Sequence, residues 1–194
     1  MRHDPRMPEA GRETGDIGRF LSQAQVDVRL AGLAATQHGV LALAHLRALG
    51  LSESAVHKRV AAGRLHRRFH GVYSVVPTNL LSRNGHYLAA VLACGPGAVL
   101  SHRSAAMLLG LRQTAATKID ITVPSRSGIR HAGVSVHRSR NLTAADATVV
   151  ENIPCTSVAR TLLDLAEVVP RRPLERAFDQ SEILRLLDLK AIDD

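Results

Sequence analysis

Residues 39–76 read GVLALAHLRALGLSESAVHKRVAAGRLHRRFHGVYSVV, and the order of stops and apolar spacings in this stretch decides the fold. Leu43, Leu46 and Leu49 recur at helical spacing, with the cation of Arg47 turned away from them. Gly50 ends that helix, because glycine alone takes the left-handed position after a helix without steric cost. Ser52 then offers an N-cap for a second helix, with Glu53 in its first turn, where the helix dipole favours an acid. In that helix Val56 and Val60 face inward, while Ser54, His57, Lys58 and Ala61 make the opposite, polar and cationic side. Gly63 closes it. The following RLHRRFHGVYSVV mixes Leu65, Phe69, Val72, Val75 and Val76 with Arg64, Arg67 and Arg68 around a His70-Gly71 turn, which predicts a short hairpin. Two helices across a tight turn, followed by a basic hairpin, are the parts of a winged helix-turn-helix.

The charge of this unit points to its partner. Residues 40–76 carry six Lys/Arg against one acid, Glu53, a net +5, which is the footprint of a surface that lies on phosphates. The expected DNA-binding set is Ser52, Ser54, His57, Lys58 and Arg59 on the second helix, with Arg64, Arg67 and Arg68 from the wing. Arg59 is counted here because Glu53, six positions back, is poorly spaced to hold it along one helix face. A basic helical unit can also be a protein-interaction module or a merely soluble surface; the charge bias and the glycine placement together favour DNA.

At 194 residues the chain can bury one or two small cores. Hydrophobic residues make up 45% but aromatics only 3%, and tryptophan is absent, so Leu, Ala and Val must build those cores. The net charge of +8 is unevenly placed: residues 1–39 are neutral, 77–150 carry +6 and 151–194 carry −3. A basic middle and an acidic end suggest two different partners, or an acidic segment facing a basic surface. No run of 18 apolar residues is present to span a membrane. The first residues are charged throughout (Arg2, Asp4, Arg6, Glu9, Arg12, Glu13) and lack the apolar centre of a signal peptide, so a cytoplasmic protein is expected. Cys94 and Cys155 are not spaced as a metal pair and need no disulfide.

The expected organisation is a disordered segment over 1–24, a winged unit over 25–76 whose first helix carries Val26, Leu30 and Leu33, a linker over 77–81, and an α+β domain over 82–194. In the last of these, Ser82 caps a helix with Tyr87, Leu88, Val91 and Leu92 inward, a short strand covers 98–100, and Ser101 caps another helix. Strands are predicted at 119–123, 134–137 and 148–153, the first with Ile119, Ile121 and Val123 inward and Asp120 and Thr122 outward. Thr156 or Ser157 caps a helix bearing Val158, Leu162, Leu165 and Val169. Pro170 breaks it, and Pro173 opens the last helix at its first position, with Leu174, Ala177, Phe178, Leu184 and Leu187 as its apolar stripe. The fold class is therefore α+β, a winged helix-turn-helix followed by a small α+β domain with short strands and C-terminal helices.

Catalytic readings fare poorly. A metal-dependent nuclease needs converging carboxylates, yet residues 40–150 contain only Glu53, Asp120 and Asp146, and no Glu-x-Lys follows Asp120-Ile-Thr. Asp164, Glu167, Glu175, Asp179 and Glu182 lie at helical spacing and read as a solvated face. His66 and His70 sit in the hairpin, where that spacing does not converge, and His131 and His137 flank a strand without cysteine companions, so zinc is not expected. Ser101-His102-Arg103-Ser104 places a nucleophile beside a base, but neighbours on a helix point apart; Ser101 reads as a cap and His102 or Arg103 as a surface contact. No glycine-rich phosphate loop occurs. No catalytic residue, metal ligand or cofactor is assigned.

Five pieces in order, GVLALAHLRALGLSESAVHKRVAAGRLHRRFHGVYSVV, LAAVLACGPGAVLSHRSAAMLLGL, IDITVP, GVSVHRSR and IPCTSVARTLLDLA, resemble actinobacterial proteins with an AbiEi-type antitoxin N-terminal domain, a family tied to type IV toxin–antitoxin systems. The resemblance implies a winged helix-turn-helix that binds double-stranded operator DNA and represses its own operon. It also implies a second domain that helps counter a nucleotidyltransferase-like toxin without a stable complex. Longer relatives continue into a domain resembling very-short-patch-repair endonucleases. This sequence ends at Asp194, where that domain would begin, and reads as a short form to which the nuclease chemistry does not carry over. The basic residues Arg103, Arg126, Arg130, Arg138 and Arg140 would extend the DNA footprint or meet an acidic or nucleotide-bearing toxin surface. The expected function is thus a non-enzymatic, antitoxin-type autorepressor. The alternatives are an antitoxin acting mainly by contact with the toxin, or the remnant of a truncated endonuclease-like protein.

Overall fold

Ser22 begins the first helix with a reciprocal cap: its Oγ accepts from the Gln25 backbone N–H at 3.3 Å, and Gln25 Oε1 accepts from the Ser22 N–H at 2.8 Å. The computed structural model describes residues 22–124 and 130–186. Helix α1 (Gln23–Thr36), with its cap Ser22, therefore takes in the last three residues assigned above to the N-terminal segment; residues 1–21 lie outside the described residues.

After a turn through His38 and Gly39 the chain forms β1 (Val40–Ala42), a strand with no signal in the apolar spacing, then α2 (Leu43–Ala48) and α3 (Glu53–Ala61). Strands β2 (His66–Phe69) and β3 (Val72–Ser74) make the anticipated hairpin around His70-Gly71, and β1 joins it in the order β1-β3-β2, with Leu41 opposite Tyr73. Val26, Leu30 and Ala34 of α1 close the core over Leu41, Leu46, Val56, Leu65 and Tyr73. This is the winged helix-turn-helix expected from the sequence, with β1 tying its helices to the wing.

The segment 77–81 contains one turn of 3₁₀ helix (Thr78–Leu80) and is anchored at its end, where Leu81 is buried with Val40, Val72 and Ala89. Ser82 caps α4 (Arg83–Cys94) through the Gly85 N–H at 3.1 Å. This helix is shared by the two sheets. Ala89 packs toward Val40 and Val72, while Tyr87, Leu88 and Val91 pack on Leu100, Ile121, Val123 and Cys155. Gly85 makes that approach close: a Cβ there would lie 2.8 Å from the His38 carbonyl oxygen and 2.6 Å from Leu81 Cδ1.

The second unit runs β4 (Val99–Leu100), α5 (His102–Leu108), β5 (Ile119–Pro124), β6 (Val134–Ser139), β7 (Ala147–Val150), β8 (Ile153–Thr156), α6 (Val158–Ala166) and α7 (Arg171–Ile183). Its sheet has the order β6-β5-β4-β8-β7, with β5/β6 and β4/β8 parallel and β4/β5 and β7/β8 antiparallel. One face receives α4. The other receives α5, on which α6 packs, with α7 outside them, its Ala177 against Ala106, Leu111, Leu162 and Leu165. Because both faces of β5 are covered, Asp120 and Thr122 are buried rather than outward-facing. The prolines also differ from expectation: Pro170 occupies the N-cap of α7 and Pro173 its third position, where a missing N–H is still harmless. Leu184 is largely exposed, and Leu187 lies outside the described residues. Cys94 and Cys155 are buried free thiols, and burial pushes Cys155 up to about 11. No helix among the described residues is long and apolar enough to cross a membrane.

The tip of the β7–β8 hairpin, Glu151 and Asn152, turns through two left-handed residues and reaches back to the winged unit. His38 Nε2 donates to the Glu151 carbonyl oxygen at 2.6 Å, and Asn152 Nδ2 donates to the Thr36 carbonyl oxygen at 3.0 Å. Asn84 Nδ2 donates to the Glu151 carboxylate at 2.5 Å.

Candidate nucleic-acid interface

Ser52 begins α3 as its cap, accepting from the Ala55 N–H at 3.2 Å and lying 3.1 Å from Ser54 Oγ, so its hydroxyl is committed to the helix start. Beyond it Ser54, His57 and Lys58 form an exposed face, opposite the buried Val56. Glu53, the one acid of this region, is held in an ion pair by Arg47 of α2. The pair spans the turn between the helices and removes a repulsive charge from the surface. Between α3 and the wing lies a groove of about 360 Å³ whose walls include His57 on one side and Arg67, His70 and Gly71 on the other. Sequence reasoning put His57 and Arg67 in one functional set; the fold brings them to one groove and adds His70, which the sequence marked as a turn residue and a rejected zinc ligand.

The remaining cations part from this surface. Arg59 is 8% exposed, and its Nη2 donates to Asp27 Oδ1 of α1 at 2.7 Å, so it braces α1 against α3 and is withdrawn from the DNA set. The physical reason is helical geometry: Arg59 follows Val56 by three positions and shares its inward face. That hydrogen bond, with the nearby charges of Arg59 and Arg64, holds the Asp27 carboxyl below its usual range. Arg64 is exposed but lies on the α1 side, lining the hollow that contains Asp27 and Arg59. Arg68 occupies a bulge in β2, between Arg67 opposite Tyr73 and Phe69 opposite Val72. Its guanidinium carbon stands 4.7 Å over the Phe69 ring, and its charge helps burial depress His86 of α4. The bulge thus aims Arg67 and Arg68 differently, and Arg68 faces the second unit.

In that second unit the basic residues also divide. Arg103 is engaged internally, with Nη2 donating to the Val168 carbonyl oxygen at 2.7 Å and Nη1 3.7 Å from Asp120 Oδ2. Arg130, Arg138 and Arg140 are exposed, and Arg126 lies outside the described residues. Two further expectations are corrected here. Ser101 Oγ makes no cap hydrogen bond and instead meets His102 Nδ1 at 2.9 Å, because Ser101 is extended and His102 turns at φ 48°. Asp164, read as part of a solvated helix face, is 3% exposed and accepts from Arg160 Nε at 2.8 Å. Among the described residues no group of three His, Cys, Asp or Glu is placed to hold a metal ion.

Residues 28–76, from α1 to the end of the wing, match the family described as transcriptional regulator, AbiEi antitoxin. The crystal structure of the RV2827C protein from Mycobacterium tuberculosis is similar to this chain over 87% of its length and 69% of the other's, with a TM-score of 0.55 at 18% identity. At that identity the likeness is one of fold. No curated protein is significantly similar in sequence.

Proposed function

With an AbiEi-type antitoxin regulator segment as the N-terminal unit, we propose that this chain is an autorepressor that binds double-stranded operator DNA through α3 and the wing. The observation that carries the reading is the arrangement around one groove. Ser54, His57 and Lys58 stand exposed on α3, Arg67 and His70 of the wing line the groove with His57, and the neighbouring acid is neutralised by Arg47. A helix with small, hydrogen-bonding and cationic side chains can read base edges in the major groove, while the wing cation holds phosphate. A nucleotidyltransferase-like toxin is the proposed functional counterpart, and the regulator is read as non-enzymatic.

The test is binding to the DNA upstream of its own gene against scrambled DNA, across a salt titration. A specific regulator should prefer its operator by roughly a thousandfold or more. Lys58→Ala should weaken binding to both DNAs. Arg67→Ala should reduce the slope of log K against log salt by about one, whereas Arg68→Ala should leave the slope unchanged, since its side chain lies on Phe69. Equal, steeply salt-dependent binding to operator and scrambled DNA would reduce the interface to nonspecific charge and overturn the proposal.

A further inference from the structure

A second built site lies away from the winged surface, on the face of the large sheet covered by α5, on which α6 packs. His102 at the start of α5 and His137 of β6 stack with ring centroids 3.6 Å apart and planes inclined by 20°. Each imidazole has acidic company: His137 Nε2 donates to Asp120 Oδ1 at 2.9 Å, and His102 Nδ1 and Nε2 lie 3.8 Å from Asp164 Oδ2 and Glu167 Oε2. Above them opens a pocket of about 310 Å³, at the small end of the range for small-molecule sites. Arg138, Arg140, Asn141 and Arg160 stand on its rim.

What marks this pocket as a binding site is its unmet hydrogen-bonding capacity. His102 Nε2, Thr122 Oγ1 and Asp164 Oδ2 line it, each on a residue at least nine-tenths buried, and none has a hydrogen-bond partner among the described residues. Buried polar atoms left this way are costly, and each asks for an explanation.

The donors and acceptors select the ligand. A bare anion would meet the rim arginines but also Asp164 and Glu167, which repel it. A bare cation would be repelled by Arg138 and Arg140, while Arg160 is held by Asp164. A ligand with hydroxyl donors at one end and a phosphate at the other satisfies both zones, since guanidinium forks match phosphate geometry. Arg140 and Asn141 at the mouth can in addition stack on and hydrogen-bond a base.

We propose that this pocket binds one nucleotide unit, with its sugar hydroxyls on Asp164, Thr122 and His102 and its phosphate on Arg140. The unit comes either from a free nucleoside monophosphate or from the end of a nucleic-acid strand. A pocket of about 310 Å³ has room for one nucleotide unit and not for a duplex, and it shares no lining residue with the groove between α3 and the wing.

The experiment is calorimetric titration of the full chain with the four ribonucleoside monophosphates, inorganic phosphate, the unphosphorylated nucleosides and a short single-stranded RNA. Saturable binding of a monophosphate or of the RNA, at least tenfold tighter than inorganic phosphate or nucleoside, is expected. Whichever of the two binds more tightly identifies the source. Arg140→Gln should weaken that binding about tenfold. Thr122→Val, which keeps the buried volume, should weaken nucleotide binding severalfold and leave the weak binding of inorganic phosphate unaltered. Thr122→Val, buried and remote from the DNA surface, should not alter operator affinity, so failure of one proposal can be told from failure of the other. Absence of saturable binding, or phosphate or nucleoside binding as tightly as the nucleotide, overturns the assignment.

Discussion

Asp27 and Arg59 show at the scale of single residues how a charge can be taken from a surface by one partner. Asp27→Asn should leave the nearly buried guanidinium with a neutral acceptor and cost about 1 kcal/mol of stability, a charge-assisted hydrogen bond reduced by the exposure of Asp27. Operator affinity should not change; a large loss of DNA binding with unchanged stability would return Arg59 to the interface. His102 carries a pH prediction. Burial lowers its pKa from 6.5, with the adjacent His137 acting in the same sense and Asp164, Asp120 and Glu167 opposing. The unfolded chain then takes up a proton that the folded chain refuses. Stability is accordingly full above pH 6.5 and declines as pH falls through the lowered value. An NMR titration should place the His102 imidazole below 6.5, and thermal melts should weaken from pH 7 toward pH 5. Titration of His102 above 6.5 would contradict the burial argument.

Helix α4 is the element on which the two sheets depend. Its N-terminal turn approaches the His38 carbonyl so closely that Gly85 has room for a hydrogen and not for a methyl group. Leu81 could swing aside, but the backbone oxygen of His38 cannot do so cheaply. Gly85→Ala should therefore destabilise the protein by about 1–3 kcal/mol, the range for overpacking, despite alanine's better helix propensity. Urea unfolding would check it, and a neutral or stabilising result would mean that the turn at His38 yields easily. By contrast Ser52 and Ser82 were legible as caps because capping is a local exchange of hydrogen bonds.

For the whole molecule, the shared packing of Val40, Val72, Leu81 and Ala89, with the hydrogen bonds from His38 to the Glu151 carbonyl and from Asn152 to the Thr36 carbonyl, joins the winged unit to the second sheet. Heat should unfold residues 22–186 in one cooperative transition with equal calorimetric and van't Hoff enthalpies. Leu81→Ala should lower that transition by about 2–4 kcal/mol without splitting it. Two resolved transitions in the unaltered chain would make 77–81 a free linker after all.

The sequence by itself determined the winged helix-turn-helix, the α+β class and the exposed face of α3, because helix stops, caps and apolar periodicity act over a few residues. It also grouped Arg67 with His57, two residues that line one groove in the fold. Tertiary structure alone decided which cations face solvent. Arg59 is claimed by Asp27, 32 positions away, Arg103 by the Val168 carbonyl and Arg68 by a bulge over Phe69. It also decided the stacked histidines and the buried Asp120 and Asp164, which alternation and helical spacing had placed in solvent. Periodicity reports that a residue lies opposite an apolar face. It does not report whether a second layer, here α5 on the large sheet with α6 packed on it, covers that opposite face as well.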